Sequence, residues 1–504
     1  MSLNLADRFF ERAERQPDTP LILGPAADVC LSFAAFADGV EALAQGLRDA
    51  GVGAGDNVGL HFPSNGAATG DYIAFVYALW RCRASVTPLP YELTSTEQRE
   101  ILETVHLDAL VIAEARADAC APLIAGTPVK LGRNAIFARP GIGAAPPPRL
   151  DGINPAFIRF TSGTTGTAKG VVLSHESIHA RIHAANERLR IGPRDRVLWL
   201  LSLDYHFAVS ICAYLTFGAG IVLPRNAFGE SLLAAANEQQ ATLIYGAPAH
   251  YALMTQDDTG AGLPAGLRAA IVTTTALPRE IADAFRQRFG RVLNETYGII
   301  ELGLPAINLS QDPAKQGAVG PVLPDYELRL DCAPGQAHGE VLLRGTGMLD
   351  AYYAPYRPRE LILQDGDGWF HTGDLGRLDA DGFLYIVGRS KEVISVGGMK
   401  FFPTEVEAVL EQHPAVAAAC VFAPRSEQAW QPVHAQLVAA EGAARPAPDE
   451  LKAHCRQCLA AHKVPAKLSW VPALAFTPSG KKVRDPERLR HHPERLRHRD
   501  DQDA

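Results

Sequence analysis

Apolar positions recur along the chain with two periods, and these predict alternating helices and strands. From Phe36 to Leu47, apolar side chains recur at steps of three and four before Gly51 interrupts the pattern, which predicts an amphipathic helix ended by glycine. Short strand-like runs alternate with helical segments in the following region, at 56–62, 71–80 and 109–112. This alternation predicts βαβ units and a parallel sheet in an α/β body.

The pattern changes towards the C-terminus. Short strand-like runs occupy 382–396, and a helix is predicted at 403–412. A proline-rich stretch at 144–149 is interpreted as a surface link between subdomains. We therefore expect an α/β fold in three parts: a large N-terminal domain at 1–390, a small mobile α+β domain at 391–485 and a polar tail at 486–504. A basic patch that docks an acidic partner is the alternative for the tail.

Composition and charge narrow the class of protein. The chain has 504 residues, of which 47% are hydrophobic and 21% charged, as expected for a soluble protein of more than one domain. The 48 basic residues are outnumbered by 56 acidic ones, and the net charge of -8 argues against nucleic acid as a partner. No basic flank with an apolar run begins the chain, and no stretch reaches the roughly 20 apolar residues that span a membrane. We expect a cytoplasmic protein without a membrane span.

The eight cysteines are scattered, so reduced thiols are expected. Cys455 and Cys458 form a CxxC beside His454 and His462, which raises the possibility of a metal or redox site. The alternative is one face of a helix, on which this spacing repeats. A second CxxC is missing from the sequence, and this favours the helix.

The segment 160–170, FTSGTTGTAKG, concentrates groups that bind phosphate. Glycines let backbone N–H groups approach oxyanions, hydroxyls donate hydrogen bonds and lysine supplies a cation. The GxxxxGK[ST] spacing of a Walker A loop is absent, and a flexible turn is the alternative. The residues predicted here to bind phosphate are Thr161, Ser162, Gly163, Thr164, Thr165, Gly166 and Lys169.

This loop resembles the signature loop of the adenylate-forming superfamily, which includes acyl-CoA synthetases, peptide-synthetase adenylation domains and luciferases. Ala168 departs from it, because the family usually has proline there. The sequence NETYGIIE resembles the family's YGxTE motif. The resemblance implies that Tyr297 packs on adenine and that Glu301 helps to hold Mg²⁺ and serves catalysis. Packing in the core is the alternative for Tyr297.

Three further motifs follow in the family's order. WFHTGD resembles YxTGD, which implies that Asp374 accepts hydrogen bonds from the ribose hydroxyls. Arg389 matches a ribose contact and Lys391 the family's hinge position, although a solvated charged turn would explain both. Lys481 in TPSGKKVR matches the catalytic lysine, whose ammonium would bridge the substrate carboxylate and the α-phosphate. Its neighbour Lys482 is the competing candidate.

The acid pocket is less well defined by the sequence. His206 matches an aromatic position beside the acyl site and a gate for the thiol, although a packed core histidine is the alternative. Tyr245 and Gly246 belong to a segment that resembles the pocket lining, and they too could be packing residues. Thr274 lies in TTTA, which replaces the usual GGAP, and Ile300 replaces the threonine of YGxTE. Added β-branched side chains should narrow the pocket, which favours a small or flat acid.

The resemblance implies ATP- and Mg²⁺-dependent activation of a carboxylic acid to an acyl-adenylate. Thioester transfer to coenzyme A or to the phosphopantetheine arm of a carrier protein would follow. Ile300 and the threonine cluster also suggest a degenerate nucleotide-binding pseudoenzyme. Retention of Lys169, Glu301, Asp374 and Lys481 weighs against it. A luciferase-like oxygenase is a third interpretation, but no residue pattern requires oxygen chemistry.

Overall fold

The computed structural model describes residues 2–24, 30–93, 95–132, 134–143, 150, 152–161, 169–363, 368–396, 399–423, 433–476 and 482–484. The chain divides into two compact units. The first unit comprises Met1–Leu328, Leu343–Phe370 and Ala380–Leu384, and the second Arg329–Leu342, His371–Asp379 and Tyr385–Ala504. The boundary at residue 390 stays a prediction, and the link at 144–149 and the tail at 486–504 lie outside the described residues.

Two large sheets form the first unit. The eight-stranded sheet has the order Gly303–Ile307, Asn294–Ile299, Ala269–Val272, Leu243–Gly246, Arg196–Trp199, Gly220–Val222, Pro20–Leu23 and Leu31–Ser32. The nine-stranded sheet has the order Arg357–Pro358, Ala351–Tyr352, Lys169–Ser174, Pro155–Thr161, Ser85–Pro88, Asn57–His61, Ala109–Ala113, Ala135–Pro140 and Ile124–Leu131. The strands expected at 56–62 and 109–112 are confirmed.

Helices pack against these sheets. In the first unit they include Leu5–Arg15, Phe33–Asp49, Thr69–Arg81, Ser95–Thr104, Ala117–Cys120, His175–Leu189, Leu203–His206, Cys212–Phe217, Gly229–Glu238, Pro248–Gln256, Arg279–Phe289 and Arg359–Ile362. The two predicted helices at 36–47 and 71–80 are confirmed within the second and third of these. The apolar face of the former is buried at Phe36, Val40 and Leu47, as its spacing requires. No helix within the described ranges is long and apolar enough to cross a membrane.

Parallel pairing gathers strand ends at one edge of the eight-stranded sheet. The strands Arg196–Trp199, Leu243–Gly246, Ala269–Val272 and Asn294–Ile299 pair in parallel in that order. Their carboxyl ends therefore share one edge, and the turn that carries Glu301 follows the last strand. Ligands of open α/β sheets bind beyond such ends. The parallel strands thus place Tyr245, Thr274 and Glu301 at or just beyond one edge of this sheet.

The second unit encloses its own core. A three-stranded sheet of Val416–Phe422, His434–Ala439 and Lys467–Trp470 packs with helices Pro403–Glu411 and Pro448–Cys458. Ile394–Val396 pairs with Met399–Phe401. A four-stranded sheet, most of whose residues belong to this unit, has the order Tyr326–Asp331, Gly339–Gly345, Phe370–Leu378 and Leu384–Arg389. The mixed α/β fold class and the helix predicted at 403–412 are confirmed.

The CxxC lies on the helix Pro448–Cys458. Cys455 faces the core and Cys458 is exposed, and burial raises the pKa of the Cys455 thiol to about 11. The neighbouring His454 donates a hydrogen bond from Nε2 to the carbonyl of Val409, at 2.9 Å. The CxxC thus belongs to a helix, as the alternative predicted, and only Cys455 packs in the core.

Candidate active site

A hairpin frames the phosphate loop. The strands Pro155–Thr161 and Lys169–Ser174 pair antiparallel, and the backbones of Thr161 and Lys169 are partners. The predicted phosphate-binding residues Ser162, Gly163, Thr164, Thr165 and Gly166 lie outside the described residues.

Close packing explains the last glycine of the motif. A Cβ at Gly170 would lie 2.8 Å from both the Phe160 ring and the Cβ of Tyr353. The rings of Phe160 and Tyr353 contact edge to face, with their centroids 6.1 Å apart. Gly170 therefore lets the end of the hairpin pack on these two aromatic residues.

The turn that carries Glu301 is fixed from several sides. Its carboxylate accepts a hydrogen bond from the Tyr352 hydroxyl at 3.2 Å, and its carbonyl accepts one from the Leu349 N–H at 2.7 Å. Arg181, which is 0% exposed, donates from Nη1 to the carbonyl of Ile300 at 2.9 Å. Its Nε and Nη2 both donate to the carbonyl of Gly347, at 2.9 and 2.5 Å. Ile300 thus contributes a backbone acceptor to this turn.

The donor set at Glu301 fits Mg²⁺. Tyr352 orients a hard carboxylate oxygen beyond the ends of the parallel strands. Protein sites commonly hold Mg²⁺ through one or two carboxylates together with substrate phosphates and water. No group of three or more His, Cys, Asp or Glu side chains gathers as a metal site in the described part of the chain. A magnesium ion that accompanies ATP requires no such group.

Tyr297 lies in the strand Asn294–Ile299, opposite Ala306 of the neighbouring strand. Only 7% of the residue is exposed, so most of its ring is enclosed by protein. This burial agrees with the core alternative, and the adenine contact stays a prediction.

The two predicted ribose contacts meet in the second unit. Arg389 Nε lies 2.9 Å from Asp374 Oδ1, and Asp374 is 3% exposed. The Asp374 N–H donates to the Thr372 hydroxyl at 3.0 Å, and that hydroxyl donates to the carbonyl of Val341 at 2.7 Å. The ion pair thus gives the buried Asp374 carboxylate a cationic partner.

Two residues predicted to line the acid pocket, Tyr245 and His206, both contact an aromatic residue that the sequence did not single out. Trp199 stacks on Tyr245 with their ring centroids 5.3 Å apart, and it contacts His206 edge to face at 6.2 Å. Burial raises the pKa of Tyr245, although side-chain hydrogen bonds with Ser210, Thr296 and Thr273 oppose the rise. We call Trp199, Tyr245 and His206 the aromatic wall.

Gly246 and His250 are explained by packing. A Cβ at Gly246 would lie 3.2 Å from Leu200 Cδ1 and 3.4 Å from His250 Nδ1. His250 Nδ1 accepts a hydrogen bond from the Ala247 N–H at 3.0 Å and so caps the helix Pro248–Gln256. Burial lowers the pKa of His250 to about 4, so its ring is neutral near pH 7.

His206 is uncharged at neutral pH. It ends the helix Leu203–His206, and a π-helical turn, Phe207–Ile211, follows. Burial and the nearby Arg159 guanidinium lower the pKa of His206 to about 3. An unfolded histidine takes up its proton near pH 6.5, so the stability gained from the neutral ring is present above that pH and lost towards pH 3.

Replacing His206 with glutamine should therefore weaken the dependence of stability on pH. Between pH 7 and pH 5, the wild-type protein should lose up to about 2 kcal/mol more unfolding free energy than His206→Gln. Urea unfolding at the two pH values measures this difference. An equal pH dependence in the two proteins would mean that the pKa of His206 is the same in the folded and the unfolded protein.

Thr274 has a backbone conformation that glycine favours. Its φ is +81°, in the left-handed region, directly beyond the strand Ala269–Val272. A β-branched residue is strained at such an angle. The glycines of the usual GGAP segment would adopt this conformation without strain, so the substitution imposes a backbone cost while adding a side chain.

We expect Thr274→Gly to raise the unfolding free energy by about 0.5–1 kcal/mol, because relief of strain exceeds the entropy that glycine adds to the unfolded chain. The matched control is Thr275→Gly, whose residue is exposed and lacks a positive φ. That change should lower the same free energy by about 0.5–1 kcal/mol. Thermal unfolding compares the two, and equal losses would refute the strain.

The structure describes Lys391, Lys481 and Lys482 to different extents. Lys391 lies in the short turn Ser390–Glu392, where only its backbone is described, and Lys481 lies outside the described residues. Lys482 is fully engaged. Its Nζ lies 2.7 Å from the carbonyl of Ala419, 3.1 Å from Glu411 and 3.2 Å from Glu407. These contacts assign Lys482 a structural role.

Two family models match the chain: "AMP-binding enzyme" over residues 9–353 and "AMP-binding enzyme C-terminal domain" over residues 405–481. This chain belongs to the AMP-binding enzyme family. Its ordered motifs and its two-unit fold agree with that membership. It is an AMP-forming acid–thiol ligase that uses ATP and Mg²⁺, forms an acyl-adenylate and then a thioester.

The similarity to relatives and to solved structures covers nearly the whole ligase. It is 32% identical to the sulfoacetate–CoA ligase of Cupriavidus necator over 499 residues, which cover 94% of this chain and 95% of that protein. It is 27% identical to the feruloyl-CoA synthase of Amycolatopsis sp, with 91% and 94% covered. ATP-bound MatB from Rhodopseudomonas palustris shares its fold with a TM-score of 0.82 at 23% identity, with 98% and 99% covered.

Proposed function

We propose that the ligase activates a small carboxylic acid with ATP and transfers the acyl group to coenzyme A. The observation that carries this proposal is the aromatic wall beside the Glu301 edge, with strained Thr274 at the end of the adjacent strand. Large rings and a β-branched side chain take up space that a long acyl chain would need. The 32% identical relative is named for sulfoacetate, a two-carbon acid, and several relatives are named for coenzyme A.

The nucleotide site in this proposal consists of residues that match the family motifs, two of which form an ion pair in the structure. Lys169 and the hydroxyls of the loop at 161–167 bind the phosphates. Tyr297 contacts adenine, and the ion-paired Asp374 and Arg389 bind ribose. Glu301 holds Mg²⁺, which would neutralise phosphate charge when bound.

In the first half-reaction, an oxygen of the acid attacks the α-phosphorus of ATP, and the bond to pyrophosphate breaks. Two anions approach each other in this step, so the protein must supply positive charge. Lys481 would bridge the carboxylate and the α-phosphate, and Lys169 would balance charge on the departing pyrophosphate. No protein nucleophile takes part.

In the second half-reaction, the thiol sulfur of coenzyme A attacks the acyl carbon, the bond to AMP breaks, and the thiol proton is released to water. The His206 ring borders the path proposed for the thiol. Because its pKa is lowered to about 3, the ring is neutral near pH 7 and adds no positive charge to that path. Lys391 is proposed as the hinge at which backbone rotation separates the half-reactions.

Acid-dependent exchange of pyrophosphate into ATP tests the proposal. We expect exchange with acids of two to four carbons and much less with long-chain or bulky aryl acids. Exchange that favours long acyl chains would overturn the small-acid assignment, and no exchange with any acid would favour the pseudoenzyme. Thioester formation with coenzyme A and with a phosphopantetheinyl carrier protein then distinguishes the two acceptors.

A further inference from the structure

Arg159 interrupts the apolar strand that leads into the phosphate loop. It lies two positions before Thr161, in the sequence AFIRF. Its Nη1 donates a hydrogen bond to the carbonyl of Tyr205 at 2.9 Å, and its guanidinium carbon lies 4.9 Å from the centre of the Tyr205 ring. The side chain is thereby directed towards the segment that carries His206.

One donor of this guanidinium is buried without a partner. Arg159 Nε is inaccessible to solvent and has no hydrogen-bond partner among the described residues. Among the described residues, no carboxylate forms an ion pair with Arg159 within 4.0 Å, unlike the pairs of Arg268, Arg359 and Arg389. A buried donor without an acceptor is costly unless another group supplies that acceptor.

Arg181 shows what a purely structural arginine looks like in the same unit. Arg181 is fully buried, whereas Arg159 is partly exposed. The Nε, Nη1 and Nη2 atoms of Arg181 all donate to backbone carbonyls. Burial alone therefore does not mark a binding residue. The difference lies in the unused Nε of Arg159.

Arg159 lies near the Glu301 turn and the segment that carries His206. The carboxylates that act electrostatically on Arg159 are Glu301 and Asp204, and its charge also acts on His206. Asp204 is already occupied, because it accepts hydrogen bonds from Tyr72 at 3.0 Å and from Ser202 at 3.2 Å. Glu301 is oriented by Tyr352. A further oxyanion would therefore fit the guanidinium.

We propose that Arg159 is a specificity-determining residue that binds a second anionic group, a carboxylate or a sulfonate, at the far end of the acid substrate. This inference rests on the proposed activation of a small acid. Guanidinium binds planar and tetrahedral oxyanions through paired N–H donors, and such bonds are stronger than neutral ones. The ligase would therefore prefer small acids with two negative groups to those with one.

Matched pairs of acids test the inference. Succinate, malonate and 3-sulfopropanoate are compared with succinamate, malonamate and 3-sulfamoylpropanoate, in which a neutral amide or sulfonamide replaces the second anion. We expect the kcat/KM for pyrophosphate exchange to favour the dianions, and Arg159→Leu to lower it on the order of 100-fold for them. The same variant should change kcat/KM for the amides less than about threefold, and Arg159→Lys should restore part of the preference.

The outcomes separate the two proposals. Equal losses with dianions and amides in Arg159→Leu, or a wild-type preference for the amides, would overturn the role of Arg159 and leave small-acid activation standing. Exchange with none of the acids would overturn the proposed function and this inference with it. If circular dichroism shows that Arg159→Leu does not fold, the comparison is made with Arg159→Lys. An unchanged preference for dianions and an unchanged KM in that variant would contradict the proposed contact of two guanidinium N–H donors with the second anion.

Discussion

Replacing Lys481 with alanine should abolish adenylate formation while ATP still binds. The ammonium is expected to offset the charge of two approaching anions, and this need is greatest in the transition state. We expect acid-dependent pyrophosphate exchange to fall at least about 100- to 1000-fold. Isothermal titration with ATP should show affinity within about threefold of the wild type, because adenine, ribose and phosphate contacts remain.

The adjacent lysine provides a matched control. Lys482 pairs with Glu407 and Glu411, and Glu407 is only 3% exposed. Lys482→Ala should lower the unfolding free energy of the second unit by about 1–3 kcal/mol, since Glu407 loses one of its partners. Arg484 also pairs with Glu407, so the carboxylate is not left alone. Normal exchange by Lys481→Ala would refute the catalytic assignment.

Replacing Arg181 with methionine should cause the largest loss of stability in the first unit. Its side chain is wholly buried and satisfies the carbonyls of Ile300 and Gly347. Methionine fills similar space but leaves both carbonyls without their donor. We expect the unfolding free energy to fall by about 3–5 kcal/mol, and the affinity for Mg-ATP to fall because the Glu301 turn loosens. Urea unfolding and ATP titration measure the two effects.

Arg188→Met is the comparison, because Arg188 is exposed on the same helix, His175–Leu189. Its unfolding free energy should stay within about 0.5 kcal/mol of the wild type. If Arg181→Met were equally stable, water would have to replace the guanidinium at both carbonyls, and the fixed Glu301 turn would need another explanation.

The sequence predicts the fold class and the helices with regular apolar spacing, because periodicity reflects which face is buried. Phe36, Val40 and Leu47 illustrate this. Motif order likewise identified Asp374 and Arg389 separately, and the structure adds that they form an ion pair. Such a pair depends on how the two neighbouring strands that carry these residues align, which the motifs alone do not contain.

Other roles emerge only from tertiary contacts. Trp199 gives no local signal, since a tryptophan at a strand end is ordinarily part of the core. Arg181 shares the apolar helix face of Ile178 and Ile182, and a charge at such a position is a signal for a buried partner. Arg159 within AFIRF is a similar signal. In both cases the sequence shows an arginine among apolar residues, and only its contacts in the folded protein indicate its role.

The separate core of the second unit has a consequence for how the chain opens. Val406, Leu410, Val421 and Leu437 are enclosed by helices and strands of that unit. Amide protons in the strand Val416–Phe422 should therefore exchange with deuterium when this unit opens, without requiring global unfolding of the first unit. Exchange rates measured at increasing urea concentrations should sort the amides into two isotherms, one for each unit.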